Sequence, residues 1–322
     1  MSRESQFLAA LRSLAAHPAA RGLADDAAVL AFGGATLVIT HDMLVEGVHF
    51  LPGDPPGDVA WKLLAVNLSD LAAKGAKPAG VLMGYSLRGE PDWDAAFVAG
   101  LGRGLAAFDV PLLGGDTVRV PAEAPRTFGL TAIGIAEGPV PSRSGARPGD
   151  QLWVSGTIGD AGAGLRILLG ELEGHAPLVE RYRRPRPRLE AGQRLAPLVG
   201  AMMDVSDGLL IDTSRMAEAS GAQARIDLAH VPLSNALGAA GGDQAARLAA
   251  ASAGDDYELL FAAAPGQAEA ILTLSGEVGL PFTRIGSFAA GAGLVLLDGG
   301  IPLPLPERLG WEHGLSPVES EG

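Results

Sequence analysis

The stretch DDAAVLAFGGATLVITHD, residues 25–42, places two carboxylates before one apolar run and a third carboxylate after the next run. Both runs are rich in apolar and β-branched residues, and Gly33-Gly34 between them is a strong signal for a tight β-hairpin turn. Antiparallel pairing about that turn places position 26 opposite about 41 and position 25 opposite about 42. The stretch therefore predicts that Asp25, Asp26 and Asp42 share one end of a hairpin, where like charges need screening by cations or solvent.

The composition indicates a globular protein with enough apolar residues for two domains. The chain has 322 residues, of which 48% are hydrophobic, and a formal net charge of −13. Nucleic acids and anionic membranes require a basic surface, so neither is an expected partner, whereas an acidic protein suits cation binding. The absence of cysteine excludes disulfides, thiolate metal sites and cysteine nucleophiles. With no signal-peptide pattern and no apolar run of membrane-spanning length, we predict a soluble, cytoplasmic protein.

Residues 58–74 have the apolar periodicity of a helix that ends at Gly75. Asn67, Asp70 and Lys74 fall on the opposite side of that helix. Periodicity alone favours a solvent-exposed polar face there, and a functional face is the alternative.

A helix predicted over 92–108 is followed by the apolar run 110–113 and then by Gly114-Gly115-Asp116-Thr117. This order predicts a strand that ends at a carboxylate and accessible backbone amides, where a ligand can approach closely. A plain turn fits the same residues, because glycine and aspartate favour turns. The local sequence leaves both interpretations open.

Two more acidic segments lie in the second half of the chain. Asp204-Val205-Ser206-Asp207 follows an apolar strand, and Ser206 is a suitable N-cap for a helix that continues to Ser220. Asp207 would then lie in the first helical turn, where acidic residues interact favourably with the helix dipole. The second segment, residues 254–258, is an acidic turn before a strand-like run.

The composition shifts between residues 138 and 150, where proline, glycine and serine are frequent. We therefore predict two domains, residues 1–137 and 138–322, with a short amphipathic helix over 5–17. Segment 181–188, rich in arginine and proline, is predicted to be a solvated connecting loop, with phosphate binding as the alternative. No P-loop sequence of the Walker type occurs.

Six motifs follow one another over nearly the whole chain, at residues 25–30, 40–50, 65–76, 113–117, 204–209 and 254–261. Each motif alone is weakly specific. In this order they closely resemble the thiamine-monophosphate kinase family, which belongs to the superfamily of aminoimidazole ribonucleotide synthetase and selenophosphate synthetase.

The resemblance implies a two-domain α/β fold of the aminoimidazole ribonucleotide synthetase type. The amino-terminal sheet would form a barrel-like core with the sheet of a second subunit, giving a homodimer, and ATP would lie between this domain and a carboxyl-terminal α/β domain. The implied reaction is ATP-dependent phosphorylation of thiamine monophosphate to thiamine diphosphate, by direct in-line transfer assisted by several Mg²⁺ ions. This reaction is the last step of thiamine diphosphate biosynthesis.

Such a reaction needs no general base, because a phosphate monoester has a second pKa of about 6 and is largely anionic at neutral pH. The site must instead position two anions in line and neutralise their charge, which clustered Mg²⁺ ions accomplish. An active site made mostly of aspartates is consistent with this chemistry.

The resemblance also implies roles for individual residues. The implied metal ligands are Asp26, Thr40, Asp42, Asp70, Asp116, Asp204 and Asp207, of which Asp42, Asp70 and Asp207 are the implied catalytic residues. The implied ATP contacts are Gly115, Asp116, Arg143 and Ser206, and the implied thiamine monophosphate contacts are His49, Asp255 and Trp311. The chain departs from the family pattern at Ala24, His41 and Asp255, where the family usually has Gly, Ser or Thr, and Glu.

Two other functions fit parts of the pattern. Another ATP-dependent member of the superfamily, activating an oxygen or selenium acceptor, would share the fold, although the lack of cysteine disfavours selenophosphate synthetase. A nonenzymatic protein that binds nucleotide or Mg²⁺ would also retain the aspartates, and only an activity measurement separates it from an enzyme.

Overall fold

Two mixed β-sheets form the framework of the protein. The computed structural model describes residues 3–12 and 14–312. Within these residues the first sheet consists of β1 (Ala28–Phe32), β2 (Ala35–Val45), β3 (Lys77–Leu87), β4 (Leu112–Arg119) and β5 (Thr127–Ala136), in the spatial order β1-β2-β5-β3-β4. The second sheet consists of β6 (Gln151–Ser155), β7 (Ala201–Asp204), β8 (Gln223–Asp227), β9 (Leu259–Ala263), β10 (Phe282–Ala289), β11 (Gly293–Asp298) and β12 (Ile301–Leu303), in the order β12-β11-β8-β10-β6-β9-β7.

The α-helices of the described residues are α1 (Arg3–Arg12), α2 (Pro56–Ala73), α3 (Pro91–Ala107), α4 (Asp160–Leu168), α5 (Ala176–Arg183), α6 (Leu189–Leu195), α7 (Leu209–Ser220), α8 (Asn235–Ala240), α9 (Gln244–Ser252) and α10 (Ala268–Val278). Short 3₁₀ helices cover Pro18–Leu23, Leu228–His230 and Pro265–Gln267. The predicted helix over 5–17 is shorter than expected, ending at Arg12, and residue 13 lies outside the described residues. None of the helices described here is both long and apolar enough to span a bilayer.

The hairpin predicted from Gly33-Gly34 is confirmed. Ala28 pairs with Ile39 and Phe32 pairs with Ala35, and both turn glycines have positive φ angles. Extending this register beyond the start of β1 places position 26 opposite 41 and position 25 opposite 42. The turn therefore sets which end of β2 meets the carboxylates before β1.

Strand β4 differs from the sequence prediction. Gly115 and Asp116 lie within the strand instead of at its end, because β4 pairs in parallel with β3 as far as Arg119. Strand β4 forms one edge of the sheet. A Cβ atom at Gly115 would lie 1.9 Å from the carbonyl oxygen of Met83, so the close approach of the two strands requires glycine there. All eight residues of β4 are exposed, and Leu113 is 57% exposed. The first sheet thus has an exposed edge that carries apolar side chains.

Helix α2 lies between the two sheets, and 14 of its 18 residues are buried. It packs on β2 and β5 of the first sheet and also contacts β7, α5 and α6. The prediction of a solvent-exposed face at Asn67, Asp70 and Lys74 is therefore wrong, since these residues are only 0%, 9% and 0% exposed. The hydrophobic period of one helix cannot reveal that a second domain covers its polar side.

The region before α7 also departs from the prediction. The N-cap of α7 is Gly208, so Ser206 is not the N-cap and Asp207 precedes the helix. The predicted end is confirmed, because Gly221 adopts a left-handed conformation at the C-cap. The three residues 206–208 therefore form a loop whose amide groups are not part of the helix.

Segment 181–188 joins the two halves of the protein, so the predicted solvated loop is wrong. Arg183 Nε donates to Asp54 Oδ1 at 2.8 Å, which ties the end of α5 to the start of α2. Arg188 forms an ion pair with Glu258, whose side chain is 0% exposed. Arg183 therefore contributes to packing between the domains, whereas Arg188 neutralises a buried carboxylate within the second domain.

Helices α2 and α3 approach so closely that Gly100 lies against Gly57, and a Cβ atom at position 100 would be 2.2 Å from the Gly57 Cα. We expect Gly100→Ala to destabilise the protein by about 1–3 kcal/mol through overpacking. Gly102→Ala on the same helix is the control, because nothing lies within 4 Å of an added Cβ. The control should stabilise by about 0.5–1 kcal/mol through helix propensity. Urea unfolding measures both changes, and equal effects would contradict the close packing.

Candidate active site

Four carboxylates from separate chain segments converge beside α2. Asp26 precedes β1, Asp42 lies on β2, Asp70 lies on α2, and Asp204 ends β7. Oxygen atoms of Asp26, Asp70 and Asp204 all lie within 4.8 Å of one another, and Asp42 is close enough for its charge to act on both Asp70 and Asp204. We call Asp26, Asp42, Asp70 and Asp204 the acidic cluster. Hard divalent cations prefer such a set of oxygen ligands.

Hydroxyl groups orient two members of the acidic cluster. Thr40 Oγ1 donates to the Asp70 carboxylate and lies 3.2 Å from the carbonyl oxygen of Asp26. Ser69 Oγ donates to Asp204 Oδ2 at 2.5 Å, which connects α2 to the end of β7. The polar side of α2 therefore fixes the cluster while it packs against the second domain.

Burial raises the pKa of three carboxyl groups in the acidic cluster. The pKa of Asp204 rises to about 8, first through burial and then through the charge of Asp26. The pKa of Asp42 rises to about 6, first through burial and then through the charges of Asp26 and Asp207. The pKa of Asp70 lies well above its ordinary value because of burial and the nearby Asp42. Without a bound cation, these groups therefore retain protons at pH values where an exposed aspartate is ionised.

Asp26 differs from its neighbours because two cationic side chains contact it. Lys74 Nζ lies 2.6 Å from Asp26 Oδ2, and Arg143 forms an ion pair with Oδ1. Burial acts to raise the pKa of Asp26, but Lys74 and then Arg143 outweigh it and hold the pKa well below the usual range. Despite its contact with Lys74, Oδ2 has no well-aligned hydrogen bond among the described residues. This oxygen can still accept a further cation.

Loop 206–208 is organised by Asp212, a residue that no sequence motif singled out. Asp212 Oδ2 accepts hydrogen bonds from the amide groups of Ser206, Asp207 and Gly208 at 3.1, 3.0 and 3.2 Å. Arg215 forms ion pairs with both Asp207 and Asp212. The pKa of Asp212 rises to about 6, first through burial and then through the charge of Asp207. The sequence places Asp212 early in the predicted helix, but only the loop conformation reveals that three backbone amides donate to its carboxylate.

His49, Lys62 and Asp255 form a second polar group near the acidic cluster. Lys62 Nζ donates to the carbonyl oxygen of His49 at 3.0 Å and to Asp255 Oδ2 at 2.8 Å, and its side chain is 2% exposed. The Tyr257 hydroxyl donates to Asp255 Oδ1 at 3.1 Å. Tyr257 also lies within electrostatic reach of Asp42. Lys62 thus connects two predicted substrate contacts across the domain boundary, a role that its place in a helical repeat did not indicate.

Gly115 and Asp116 do not join the acidic cluster of the same chain. Pairing along the first sheet runs from Asp42 on β2 to Leu130, Met83 and Gly115 on successive strands. Three strand spacings separate the ends of this row, which corresponds to about 14 Å. Within one chain, Asp116 is therefore too distant to share a metal ion with Asp42.

His41 and Trp311 lie next to site residues without entering the acidic cluster. His41 Nδ1 lies 2.9 Å from Thr131 Oγ1 on the neighbouring strand. The Trp311 amide donates to the carbonyl oxygen of Asp207 at 2.9 Å, and its side chain is 39% exposed. The carboxyl-terminal part of the described chain is thus attached to the loop that carries Asp207.

Comparisons with known proteins identify both halves of the chain. Residues 24–136 match AIR synthase related protein, N-terminal domain, and residues 147–299 match AIR synthase related protein, C-terminal domain. The thiamine-monophosphate kinase of Caulobacter vibrioides is 42% identical over 306 residues, which cover 92% of this chain and 86% of that protein. The Escherichia coli enzyme of the same name is 40% identical over 307 residues, covering 92% of each protein.

Solved structures agree with these matches. The thiamine-monophosphate kinase from Stenotrophomonas maltophilia K279a has a TM-score of 0.76 and 38% identity, covering 92% of this chain and 96% of that one. AaThiL complexed with AMPPCP and TMP has a TM-score of 0.82 and 29% identity, covering 97% of each chain. The predicted two-domain α/β fold and the prediction of a kinase are confirmed. Because the sequence matches extend over both domains and 92% of its length, the chain belongs to the thiamine-monophosphate kinase family.

Proposed function

We propose that the protein transfers the γ-phosphoryl group of ATP to thiamine monophosphate, giving thiamine diphosphate and ADP. A phosphate oxygen of thiamine monophosphate bonds to the γ-phosphorus, in line with the bond from that phosphorus to the β,γ-bridging oxygen, which breaks. The observation that carries the proposal is the convergence of carboxylates from four segments near the His49–Lys62–Asp255 group. The names of the relatives support it, as does the complex of AaThiL with AMPPCP and TMP.

Several Mg²⁺ ions fit the donor atoms of this site. The cluster offers only oxygen atoms, Asp26 Oδ2 lacks a well-aligned hydrogen bond among the described residues, and burial disfavours ionised carboxylates without a cation. When bound, Mg²⁺ would neutralise charge on the phosphates. The residues that we propose to hold these ions are Asp26, Thr40, Asp42, Asp70, Asp116, Asp204 and Asp207.

The protein's own groups position both substrates. The amide of Ser206 is engaged by Asp212, so its hydroxyl is the group left to contact the nucleotide. Arg143 would reach the same nucleotide from beside Asp26. On the acceptor side we place His49, Asp255 and Trp311, with Lys62 holding Asp255 in position. Because the acceptor phosphate is largely anionic at neutral pH, with a second pKa of about 6, none of these groups needs to remove its proton.

A second copy of the chain completes the proposed site. Gly115 and Asp116 lie about 14 Å from Asp42 across the first sheet, on an edge strand that is exposed along its whole length. Pairing of the first sheets of two subunits would cover this edge and bring Asp116 of one subunit towards the cluster of the other. We also propose that the domains comprise residues 1–137 and 138–322, and that the protein is located in the cytoplasm, as predicted from the sequence.

Activity is the first test. With ATP, Mg²⁺ and thiamine monophosphate, we expect equimolar thiamine diphosphate and ADP, followed by chromatography. Asp42→Asn should lower kcat by about 10²–10³-fold, because it removes a charged ligand of the Mg²⁺ ions that would neutralise charge on the phosphates. Asp92→Asn, at an exposed site in the first turn of α3, is the control and should leave the rate unchanged. Equal turnover of unphosphorylated thiamine, or no thiamine diphosphate, would contradict the proposal.

A mixed dimer tests whether subunits share the site. Asp42→Asn and Asp116→Asn chains are co-expressed with different tags, and the dimer that carries both tags is purified. We expect each variant alone to have a rate far below that of the wild type and the mixed dimer to have about half of the wild-type rate, since one of its two sites keeps both aspartates. An inactive mixed dimer would show that each site is built from one chain.

Stability without divalent cations should fall as the pH rises. In the folded protein the pKa of Asp42 is about 6 and that of Asp204 about 8, against about 3.9 for an unfolded chain. The folded state therefore binds more protons between about pH 4 and pH 8, and it loses this stability as the pH rises through that window.

Melting temperatures in EDTA and in Mg²⁺ measure this effect. Mg²⁺ should flatten the decline, because it stabilises the ionised carboxylates. Asp204→Asn should remove the part of the decline between pH 6 and 8, because the pKa of Asp204 is about 8. Identical declines in wild type and Asp204→Asn would show that Asp204 does not titrate in this range.

A further inference from the structure

Lys74 is one of three lysines in the chain, and its side chain is completely buried just after the end of α2. Its Nζ lies 2.5 Å from Asp25 Oδ1, 2.6 Å from Asp26 Oδ2 and 3.2 Å from the carbonyl oxygen of Met202. The ammonium donates hydrogen bonds to Asp25 Oδ1 and to the Met202 carbonyl oxygen, and it contacts Asp26 Oδ2 as an ion pair. Two carboxylates and a carbonyl around one buried positive charge resemble the oxygen environment of a bound cation.

One of these carboxylates belongs to the acidic cluster. Asp26 lies with Asp70 and Asp204 inside the 4.8 Å group of oxygen atoms. Lys74 follows Asp70 by four residues, so the two side chains lie one helical turn apart on the same side of the chain. Asp70 and Asp204 receive hydrogen bonds from hydroxyl groups, whereas Asp26 receives contacts from cationic groups. The chain's own positive charge is therefore located at the Asp26 side of the cluster.

Removal of the Lys74 ammonium would leave two buried carboxylates and a carbonyl oxygen around an empty position, with no positive charge between them. Asp25 and Asp26 would keep Arg21 and Arg143, whose side chains are 22% and 21% exposed and approach from the protein surface. Buried carboxylates that lose a cationic partner are strongly destabilised unless they take up a proton or another cation. The Met202 carbonyl and both carboxylates would still point at the vacated position.

We propose that Lys74 is a built-in cation of the acidic cluster. Its ammonium occupies a position that a divalent cation would fill if the lysine were absent, so the protein assembles this side of the cluster with one metal ion fewer. The inference rests on the metal site of the proposed function. Lys74 thereby sets how many metal ions the acidic cluster binds, without contacting a substrate.

The test counts bound Mn²⁺, as a probe for Mg²⁺, in the absence of nucleotide. In Lys74→Met a neutral, unbranched side chain of similar length replaces the ammonium. We expect this variant to bind one additional Mn²⁺ per chain, measured by electron paramagnetic resonance of the free ion. Lys77→Met is the control, because Lys77 is exposed at the start of β3 and should leave the count unchanged.

The outcomes separate this inference from the proposed function. Equal, non-zero Mn²⁺ counts in wild type and Lys74→Met would overturn the role of Lys74 and leave the metal site standing. Absence of Mn²⁺ from both proteins would overturn the metal site and the inference together.

A double variant guards against loss of folding. Lys74→Met with Asp25→Asn removes one positive and one negative group, so the buried net charge stays as in wild type. Asp25 is not among the proposed metal ligands. We expect the wild-type Mn²⁺ count in the double variant, and a larger Mg²⁺-dependent rise in melting temperature for Lys74→Met alone. An additional Mn²⁺ in the double variant, or the same Mg²⁺-dependent rise in all three proteins, would overturn the inference.

Discussion

Helix α2 packs on the first sheet with its apolar side while the second domain covers its polar side, and the arrangement of the site depends on this double burial. Asn67, Ser69, Asp70 and Lys74 are all removed from water in this way. A buried polar group without a partner costs roughly 2–7 kcal/mol, so each of these side chains requires a specific one. The partners come from segments distant in sequence, namely Thr40, Asp42, Asp204, and Asp25 with Asp26.

The same constraint distributes charge unevenly over the acidic cluster. Lys74 and Arg143 hold the pKa of Asp26 low against the effect of burial, whereas burial and the charge of Asp26 raise the pKa of Asp204 to about 8. The chain's own cations thus neutralise Asp26, whereas Asp204 is neutralised by a proton or by an added cation. A metal ion binds to ionised carboxylates and displaces their protons. A site that binds polyphosphate through metal ions therefore needs carboxylates that are not already paired with the chain's own cations.

Contacts across the domain boundary hold the His49–Lys62–Asp255 group in place relative to the acidic cluster. Lys62 on α2 binds Asp255 of the second domain, and Arg183 of that domain binds Asp54 just before α2. Such pairs fix the separation of two groups that lie on different domains.

The sequence by itself determined the β1–β2 hairpin, the extent of α2 and the family, because each depends on local turn chemistry, local periodicity or the order of motifs. It also indicated that Asp25, Asp26 and Asp42 meet, since the Gly33-Gly34 turn sets the register. Three of its errors share one cause. Local composition predicted solvent contact for the polar side of α2 and for the arginines of 181–188, and it predicted that a strand ends near Gly115.

The tertiary structure decided those cases, because burial depends on surfaces that meet only after folding. The second domain covers α2, and the buried Glu258 carboxylate pairs with Arg188. Pairing with β3 continues strand β4 through Gly114 and Gly115. It also separated Asp116 from the acidic cluster and placed Lys74 within it, which no spacing in the sequence expresses. The sequence supplies the carboxylates and lysines of the site. Long-range packing determines which of them are neighbours, and therefore the pKa of each carboxyl group.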